Sequence, residues 1–219
     1  MNIELNNKKI FVFDWDGTLF DSMEIKRNNF VTAFIAAYIY MDLDGSAVKN
    51  FYIELSGAPH FELFSKISKI LNCKNIDKAF ILFNNLFTQL NKTELKKTSL
   101  FYDAKDFITT SYRSDIRMFI SSSAPEDELL NTTKSALESP YDSFFERIMG
   151  TTKDYQKGEL HIQKICGITG CSKEDLLFFG DDYEDYRLAF NAGISCIIID
   201  REKRHTNQDI PTVHSFNNI

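Results

Sequence analysis

The most informative segment of the sequence is Phe11-Val12-Phe13-Asp14-Trp15-Asp16-Gly17-Thr18-Leu19-Phe20-Asp21-Ser22. An apolar run, Ile10 to Phe13, stops at a cluster of Asp, Gly and Thr, which is typical of a buried strand that ends in a functional loop. Side chains alternate along a strand, so Asp14 and Asp16 would share one pocket if the backbone stays extended that far. Two carboxylates so close repel each other unless a cation is present or one of them keeps its proton, and both remedies serve catalysis. Taken alone, an Asp-x-Asp-Gly string is also typical of a solvated turn or a calcium-loop fragment.

The rest of the chain predicts an α/β core that is interrupted by helices. From Ser22 to Leu95 the apolar residues recur at helical spacing, and no segment there has a strand pattern. After Tyr102, short β-rich runs alternate with helical stretches, which indicates a Rossmann-like, doubly wound parallel sheet with its ligand site at the carboxyl ends of the strands. The predicted strands cover residues 116–120, 147–149, 176–179 and 196–199, and the predicted helices cover 126–137, 159–166 and 183–192.

These patterns set the expected domains. Residues 1–20 and 98–219 are predicted to form the α/β core domain, and residues 21–97 an inserted all-helical domain. The tail after Arg201 is polar and is expected to be partly loose.

Two further predicted strands end in polar residues. Met118 to Ile120 is followed by Ser121 to Ser123, and hydroxyls with free backbone N–H groups at a strand end can hold phosphate oxygens. Leu176 to Phe179 is followed by Gly180 to Asp185, which contains three Asp, and magnesium prefers carboxylate and water oxygens. Each string also has an ordinary structural explanation, since serines cap helices and acidic residues favour helix N-termini.

In this order, the motifs resemble the signatures of the haloacid dehalogenase-like hydrolase superfamily, in its phosphoglycolate phosphatase-like and β-phosphoglucomutase-like branch. The resemblance covers essentially the whole chain, and its first signature, an apolar run followed by Asp-x-Asp-Gly-Thr-Leu-x-Asp-Ser, is highly specific. It implies that Asp14 is the nucleophile, and that Asp16 protonates the leaving oxygen and then activates water. Dehalogenase members carry no Asp two positions after the nucleophile, so Asp16 indicates phosphoryl transfer.

The resemblance also implies a phosphate site. Ser121 would donate its hydroxyl to the phosphate, assisted by the Ser122 amide, and a lysine before a helix would offset the negative charge. Lys157 stands where that lysine is expected. It is followed by Gly158 instead of the Pro usual near phosphoglycolate phosphatase, which leaves Lys153 as a competitor.

A magnesium site is the third implication. Mg²⁺ would be bound by Asp14, by the backbone carbonyl of Asp16 and by Asp181. Asp185 would hold a metal-bound water or orient a ligand, and Asp182 is a candidate for the same role.

The helical insertion resembles the mobile cap of this family, which closes over the site and carries substrate contacts. Residues 56–60, Ser-Gly-Ala-Pro-His, form a Gly/Pro break between predicted helices and are candidates for setting specificity, although an interhelical turn explains them equally well. A cap of this size favours a small phosphorylated metabolite as the substrate over a phosphoprotein.

Two other kinds of function stay open at this stage. One is a phosphomutase or a phosphonatase on the same scaffold, and a phosphonatase would need a Schiff-base lysine such as Lys26, Lys49 or Lys66. The other is a catalytically idle binding protein, which the intact Asp14, Asp16 and Asp181 disfavour.

Composition limits the partners and the compartment. The net charge of −6 and the lack of a long basic run argue against nucleic acid and anionic membranes. Twenty Phe and one Trp fit interior packing better than an exposed stacking platform.

The four cysteines match neither a redox pair nor a zinc knuckle, and no apolar segment has the length of a signal peptide or a membrane span. We therefore expect free thiols and a cytoplasmic protein, with the oligomeric state left open.

Overall fold

A computed structural model describes residues 8–55, 60–204 and 209–219. The chain divides into two compact units, one formed by Met1–Asp21 with Thr98–Ile219 and the other by Ser22–Lys97. These units place Asp21 with the core, whereas the sequence-based prediction begins the helical segment at that residue. Every helix in the described ranges is too short or too polar to cross a membrane.

The first unit is built on a sheet of six parallel strands. Their order is β3-β2-β1-β4-β5-β6, so the chain leaves β1 on one side, returns, and continues on the other side. Ligand sites in such sheets lie at this switch point, outside the carboxyl ends of the strands. The strands are β1 Ile10–Phe13, β2 Arg117–Pro125, β3 Phe145–Thr151, β4 Leu176–Gly180, β5 Ser195–Ile199 and β6 Thr212–Val213.

The described part of the chain contains eight α-helices, four in each unit. The predicted α/β class, a doubly wound parallel sheet with an inserted helical domain, is confirmed. The helices of the inserted unit are α1 Met23–Ala37, α2 Gly45–Glu54, α3 His60–Ile70 and α4 Ile76–Glu94. Those of the core unit are α5 Tyr102–Arg113, α6 Glu126–Ala136, α7 Glu159–Thr169 and α8 Tyr183–Asn191.

Alternation along β1 places its side chains on two different apolar layers. Ile10 and Val12 belong to a buried cluster that includes residues of α7 and α8. Phe11 and Phe13 point to the other face, where both rings pack against Phe107 of α5 at centroid distances of 5.7 and 6.2 Å. Both faces of β1 are therefore covered by helices, which fixes the strand end that precedes Asp14.

Within the C-terminal tail, residues 209–219 contribute a short strand and a buried aromatic ring to the core unit. Strand β6 pairs with Ile198 and Ile199 of β5, and the Phe216 ring is buried and stacks on Phe107 at a centroid distance of 4.7 Å. A strand of two residues and a single Phe give too short a pattern to detect in the sequence.

The inserted unit has an aromatic core of its own. Phe30 packs edge to face on Phe83 at 4.8 Å, and Phe34 contacts Phe64 at 5.1 Å, so that α1 is joined to α3 and α4. The candidate specificity residues Ser56 to Pro59 lie outside the described residues. His60, the last of that group, begins α3, with its ring 4.8 Å from that of Phe87.

Asp103 ties the C-terminal tail to the first turn of α5. Its Oδ2 accepts hydrogen bonds from Arg201 Nη1 (2.9 Å), Ser215 Oγ (2.8 Å) and the Phe216 backbone amide (2.9 Å). Burial alone would raise the pKa of this carboxyl. The three donors outweigh burial and hold the pKa below its ordinary value.

We predict that Asp103→Asn lowers the free energy of unfolding by about 1–3 kcal/mol at neutral pH, because charged hydrogen bonds are lost. Since the folded pKa is depressed, this stabilisation is fully present above the unfolded pKa of about 3.9 and is lost as the pH falls through the folded value. Urea unfolding of both chains should therefore show a gap that narrows below about pH 4. Asp106→Asn, on the exposed side of the same helix, is the matched control. An equal loss in the two variants, or a gap that does not depend on pH, would contradict this account.

Candidate active site

The turn after β1 positions Asp14. Its backbone amide donates to the Phe179 carbonyl at 2.8 Å, which binds the strand end to β4. The backbone then turns. Gly17 has φ of 79°, a conformation that favours glycine, and its amide donates to the Phe20 carbonyl at 2.9 Å. The condition for a shared strand face, a backbone extended as far as Asp16, is not met, because β1 ends at Phe13 and Trp15 lies in a turn.

Three carboxylates meet at the ends of β1 and β4. Asp14, Asp181 and Asp185 are buried, and each offers an oxygen within 4.8 Å of the others. The predicted fourth acidic residue, Asp16, is half-buried and stands outside this group. Its negative charge still contributes to raising the pKa of Asp14.

The loop after β4 is shaped around Asp185. The Asp181 amide donates to Asp185 Oδ2 at 3.1 Å, so the carboxylate folds back over the end of the strand. A Cβ at Gly180 would lie 2.2 Å from that oxygen, which is too close for any side chain. Gly180 is thus required by the approach of a carboxylate. Asp182 has a capping role, since its side chain accepts from the Glu184 amide at 3.1 Å at the start of α8.

Lys157 is the cation at the centre of the group. Its Nζ lies 2.5 Å from Asp14 Oδ1 and 2.5 Å from Asp185 Oδ1. Burial alone would lower the pKa of this ammonium, but the two carboxylates raise it above its ordinary value, so Lys157 stays charged. Lys153, its competitor in the sequence, is exposed.

The carboxylates are only partly neutralised. Burial raises the pKa of Asp14 to about 7, against the opposing effect of Lys157, and burial also raises the pKa of Asp181 well above its ordinary value, with the charge of Asp185 adding to it. Arg204 contributes a second cation, with Nη2 3.2 Å from Asp181 Oδ2. No motif indicated Arg204 in the sequence, because it lies beyond β5 in the polar tail.

The two predicted phosphate-binding serines lie at the neighbouring strand end. Phe13 of β1 pairs with Ile120 of β2, so Asp14 and Ser121 follow directly on paired residues. Ser121 is buried, and its Oγ lies 2.8 Å from Nδ1 of His161 on α7. Ser122 Oγ accepts from the amide two residues on, at 3.1 Å. His161 gave no signal in the sequence, since a single His on an apolar helix face is usually a core residue.

The residues present fit a hard dication. Three buried carboxylates supply oxygen donors at short range, which is the ligand type that Mg²⁺ prefers. Three carboxylates face two cations, Lys157 and Arg204, so the mutual repulsion of the carboxylates is not fully offset when all three are ionised. An added positive charge would relieve that repulsion.

Comparisons with known proteins give the family. The family model described as haloacid dehalogenase-like hydrolase matches residues 11–199. No curated protein matches the chain. Among solved structures, a predicted phosphoglycolate phosphatase from Haemophilus somnus 129PT is 16% identical, covers 89% of this chain and 86% of its own, and has a TM-score of 0.69. CbbY from Rhodobacter sphaeroides, in complex with phosphate, is 18% identical over 95% of each chain with a TM-score of 0.67. YfnB from Bacillus subtilis, bound to magnesium, is 15% identical over 96% of each chain with a TM-score of 0.69.

At these identities the solved structures show a shared fold, and the family model carries the assignment. The matched residues contain all the strand ends described above, from Asp14 to Asp185. The resemblance inferred from the sequence motifs is thereby confirmed, and the chain belongs to the haloacid dehalogenase-like hydrolases.

Proposed function

We propose that this hydrolase cleaves a small phosphate monoester, phosphoglycolate-like or a sugar phosphate, through a phosphoaspartyl intermediate on Asp14. The observation that carries the proposal is the contact of Lys157 Nζ with Asp14 Oδ1 at 2.5 Å, beside two further buried carboxylates. A phosphate placed there meets a nucleophilic carboxylate and an ammonium at the same point. Covalent catalysis by a carboxylate divides a difficult hydrolysis into two displacements.

The two steps use Asp14 and Asp16 in turn. A carboxylate oxygen of Asp14 attacks phosphorus, the bond from phosphorus to the ester oxygen breaks, and Asp16 gives its proton to that oxygen. Asp16 then takes a proton from water, and the resulting hydroxide attacks phosphorus and releases Asp14 with inorganic phosphate. Lys157, the Ser121 hydroxyl and the Ser122 amide would bind the phosphoryl oxygens throughout.

Magnesium is the proposed cofactor. Asp14, Asp181 and the backbone carbonyl of Asp16 would bind the ion, and Asp185 would orient a bound water or hold Lys157, which it contacts at 2.5 Å. When bound, the ion would screen the negative nucleophile from the negative phosphate and stabilise charge on the phosphoryl oxygens. The phosphate in CbbY and the magnesium in YfnB support this proposal by analogy.

The helical unit is proposed to act as a cap that restricts the substrate to small metabolites. Two of the lysines considered for a phosphonatase form ion pairs within the helical unit, Lys49 with Glu24 at 2.7 Å and Lys66 with Glu62 at 2.6 Å, and these contacts favour a structural role for both.

We predict that Asp14→Asn lowers turnover of p-nitrophenyl phosphate with Mg²⁺ by roughly 10⁴-fold or more, since the nucleophile is lost. Asp154→Asn, an exposed carboxyl in the same unit, is the control and should turn over normally. During turnover of a ³²P-labelled ester, acid quenching should leave label on the native protein that hydroxylamine releases, as expected for an acyl phosphate. Turnover that survives in Asp14→Asn would overturn the proposal.

The two lysines offer a matched comparison. Lys157→Met should lower kcat/KM by about 10²-fold or more, because a charge aimed at the transferring group is removed. Lys153→Met, at an exposed position in the same segment, should leave kcat/KM unchanged. Steady-state kinetics on the two variants, with circular dichroism to verify folding, measures both. If Lys153→Met were the damaging change, the phosphate site would have been assigned to the wrong lysine.

A further inference from the structure

A buried histidine is joined to the proposed phosphate-binding serine. His161 is 0% exposed, and its Nδ1 lies 2.8 Å from Ser121 Oγ. Ser121 is also 0% exposed and continues the ladder of β2, where it pairs with Met149 of β3. The proposed mechanism does not use His161, although its imidazole is one hydrogen bond away from the hydroxyl that is proposed to contact phosphate.

The imidazole is held from several sides. The ring of Tyr155 packs on it at a centroid distance of 4.5 Å, and the Tyr155 hydroxyl in turn donates to the sulfur of Met149 at 3.2 Å. Backbone hydrogen bonds of the first turn of α7 fix the Cα position of His161. The ring thus has a fixed direction, and the serine hydroxyl that meets it is fixed too.

The charge state of the imidazole follows from its surroundings. Burial, with the nearby Lys157 ammonium, lowers the pKa of His161 to about 4, while an interaction with the Gly150 backbone acts in the opposite direction. His161 is therefore neutral at physiological pH. A neutral imidazole next to Ser121 adds no further cation beside the carboxylates.

One segment of the chain carries both Lys157 and His161. The chain from Tyr155 to the first turn of α7 sends Lys157 to Asp14 and His161 to Ser121. The two proposed phosphate ligands, which come from different parts of the sequence, are thus set relative to each other by a stretch of seven residues, 155–161.

We propose that His161 is a positioning residue, which holds the Ser121 hydroxyl at the strand end in the orientation that a phosphate oxygen requires. This inference rests on the proposed function, in which Ser121 binds the phosphate of the substrate. Without its partner the hydroxyl would rotate among staggered positions and would have to be ordered when phosphate binds.

The test is a double-mutant cycle with inorganic phosphate as the probe. The inhibition constant of phosphate and the KM for p-nitrophenyl phosphate are measured for Ser121→Ala, for His161→Gln and for the chain with both changes. His161→Gln keeps polarity and similar volume but places its amide at the position of Nε2. His161→Asn, whose amide falls at the position of Nδ1, is the conservative rescue.

We expect His161→Gln to weaken phosphate binding by about 5–10-fold, the loss of one hydrogen bond of about 1 kcal/mol. KM should rise more than kcat falls, and His161→Asn should restore binding to within about 2-fold. In the Ser121→Ala background, His161→Gln should cause almost no further loss, because the group it acts through is gone.

Three kinds of result would overturn the inference. Losses that add in the double variant, or a His161→Asn variant as weak as His161→Gln, would show a merely structural histidine and overturn the inference. If Ser121→Ala binds phosphate normally, the inference falls with the assigned role of Ser121, while turnover dependent on Asp14 still stands. Loss of stability alone, seen as a lower Tm with unchanged phosphate binding, also rejects it.

Discussion

Three buried carboxylates within 4.8 Å of one another repel strongly unless positive charge lies among them. Lys157 supplies that charge, with contacts of 2.5 Å to two of the three, and the rest of the site depends on this arrangement. Arg204 reaches the third carboxylate, Asp181, at 3.2 Å. Even so, the pKa of Asp14 is raised, mainly by burial, and the negative charges of Asp185 and Asp16 add to that rise. A site in this condition favours the entry of a dication and of the phosphate that a dication accompanies, and this is the physical basis of the proposed chemistry.

The fold makes such a concentration of charge possible. In a parallel sheet, the carboxyl ends of adjacent strands β2, β1 and β4 lie side by side at the switch point, so residues more than a hundred positions apart come together. Apolar layers on both faces of β1 hold that edge rigidly. Loops after the strands then bring their carboxylates inward, and Gly180 leaves the space that Asp185 occupies. The favourable packing of the sheet therefore offsets the electrostatic repulsion among the three carboxylates.

Long apolar runs and helical periodicity were sufficient to predict β1, β4 and helices α6, α7 and α8, because burial imposes those patterns directly on the sequence. Strand β6 and the buried Phe216 were missed, since so short an element depends on its partners. The motifs named Asp14 and Asp181, but they did not name Arg204 or His161. The roles of these two side chains depend on contacts that form only when the chain folds. A single Arg or His forms no sequence motif that could indicate such a role. The choice between Lys153 and Lys157 likewise depends on a contact, which local sequence does not encode.

An oxygen of the Asp14 carboxylate, which Lys157 holds in place, is proposed to form the bond to phosphorus. The most direct measurement is a crystal structure of the protein grown with Mg²⁺ and beryllium fluoride, which mimics a phosphoryl group on a carboxylate. We expect beryllium to be bonded to an Asp14 carboxylate oxygen, and Lys157 Nζ to lie within hydrogen-bond distance of a fluorine. Beryllium fluoride bound to another side chain, or Asp14 left unmodified while Lys157 is turned away from it, would contradict it.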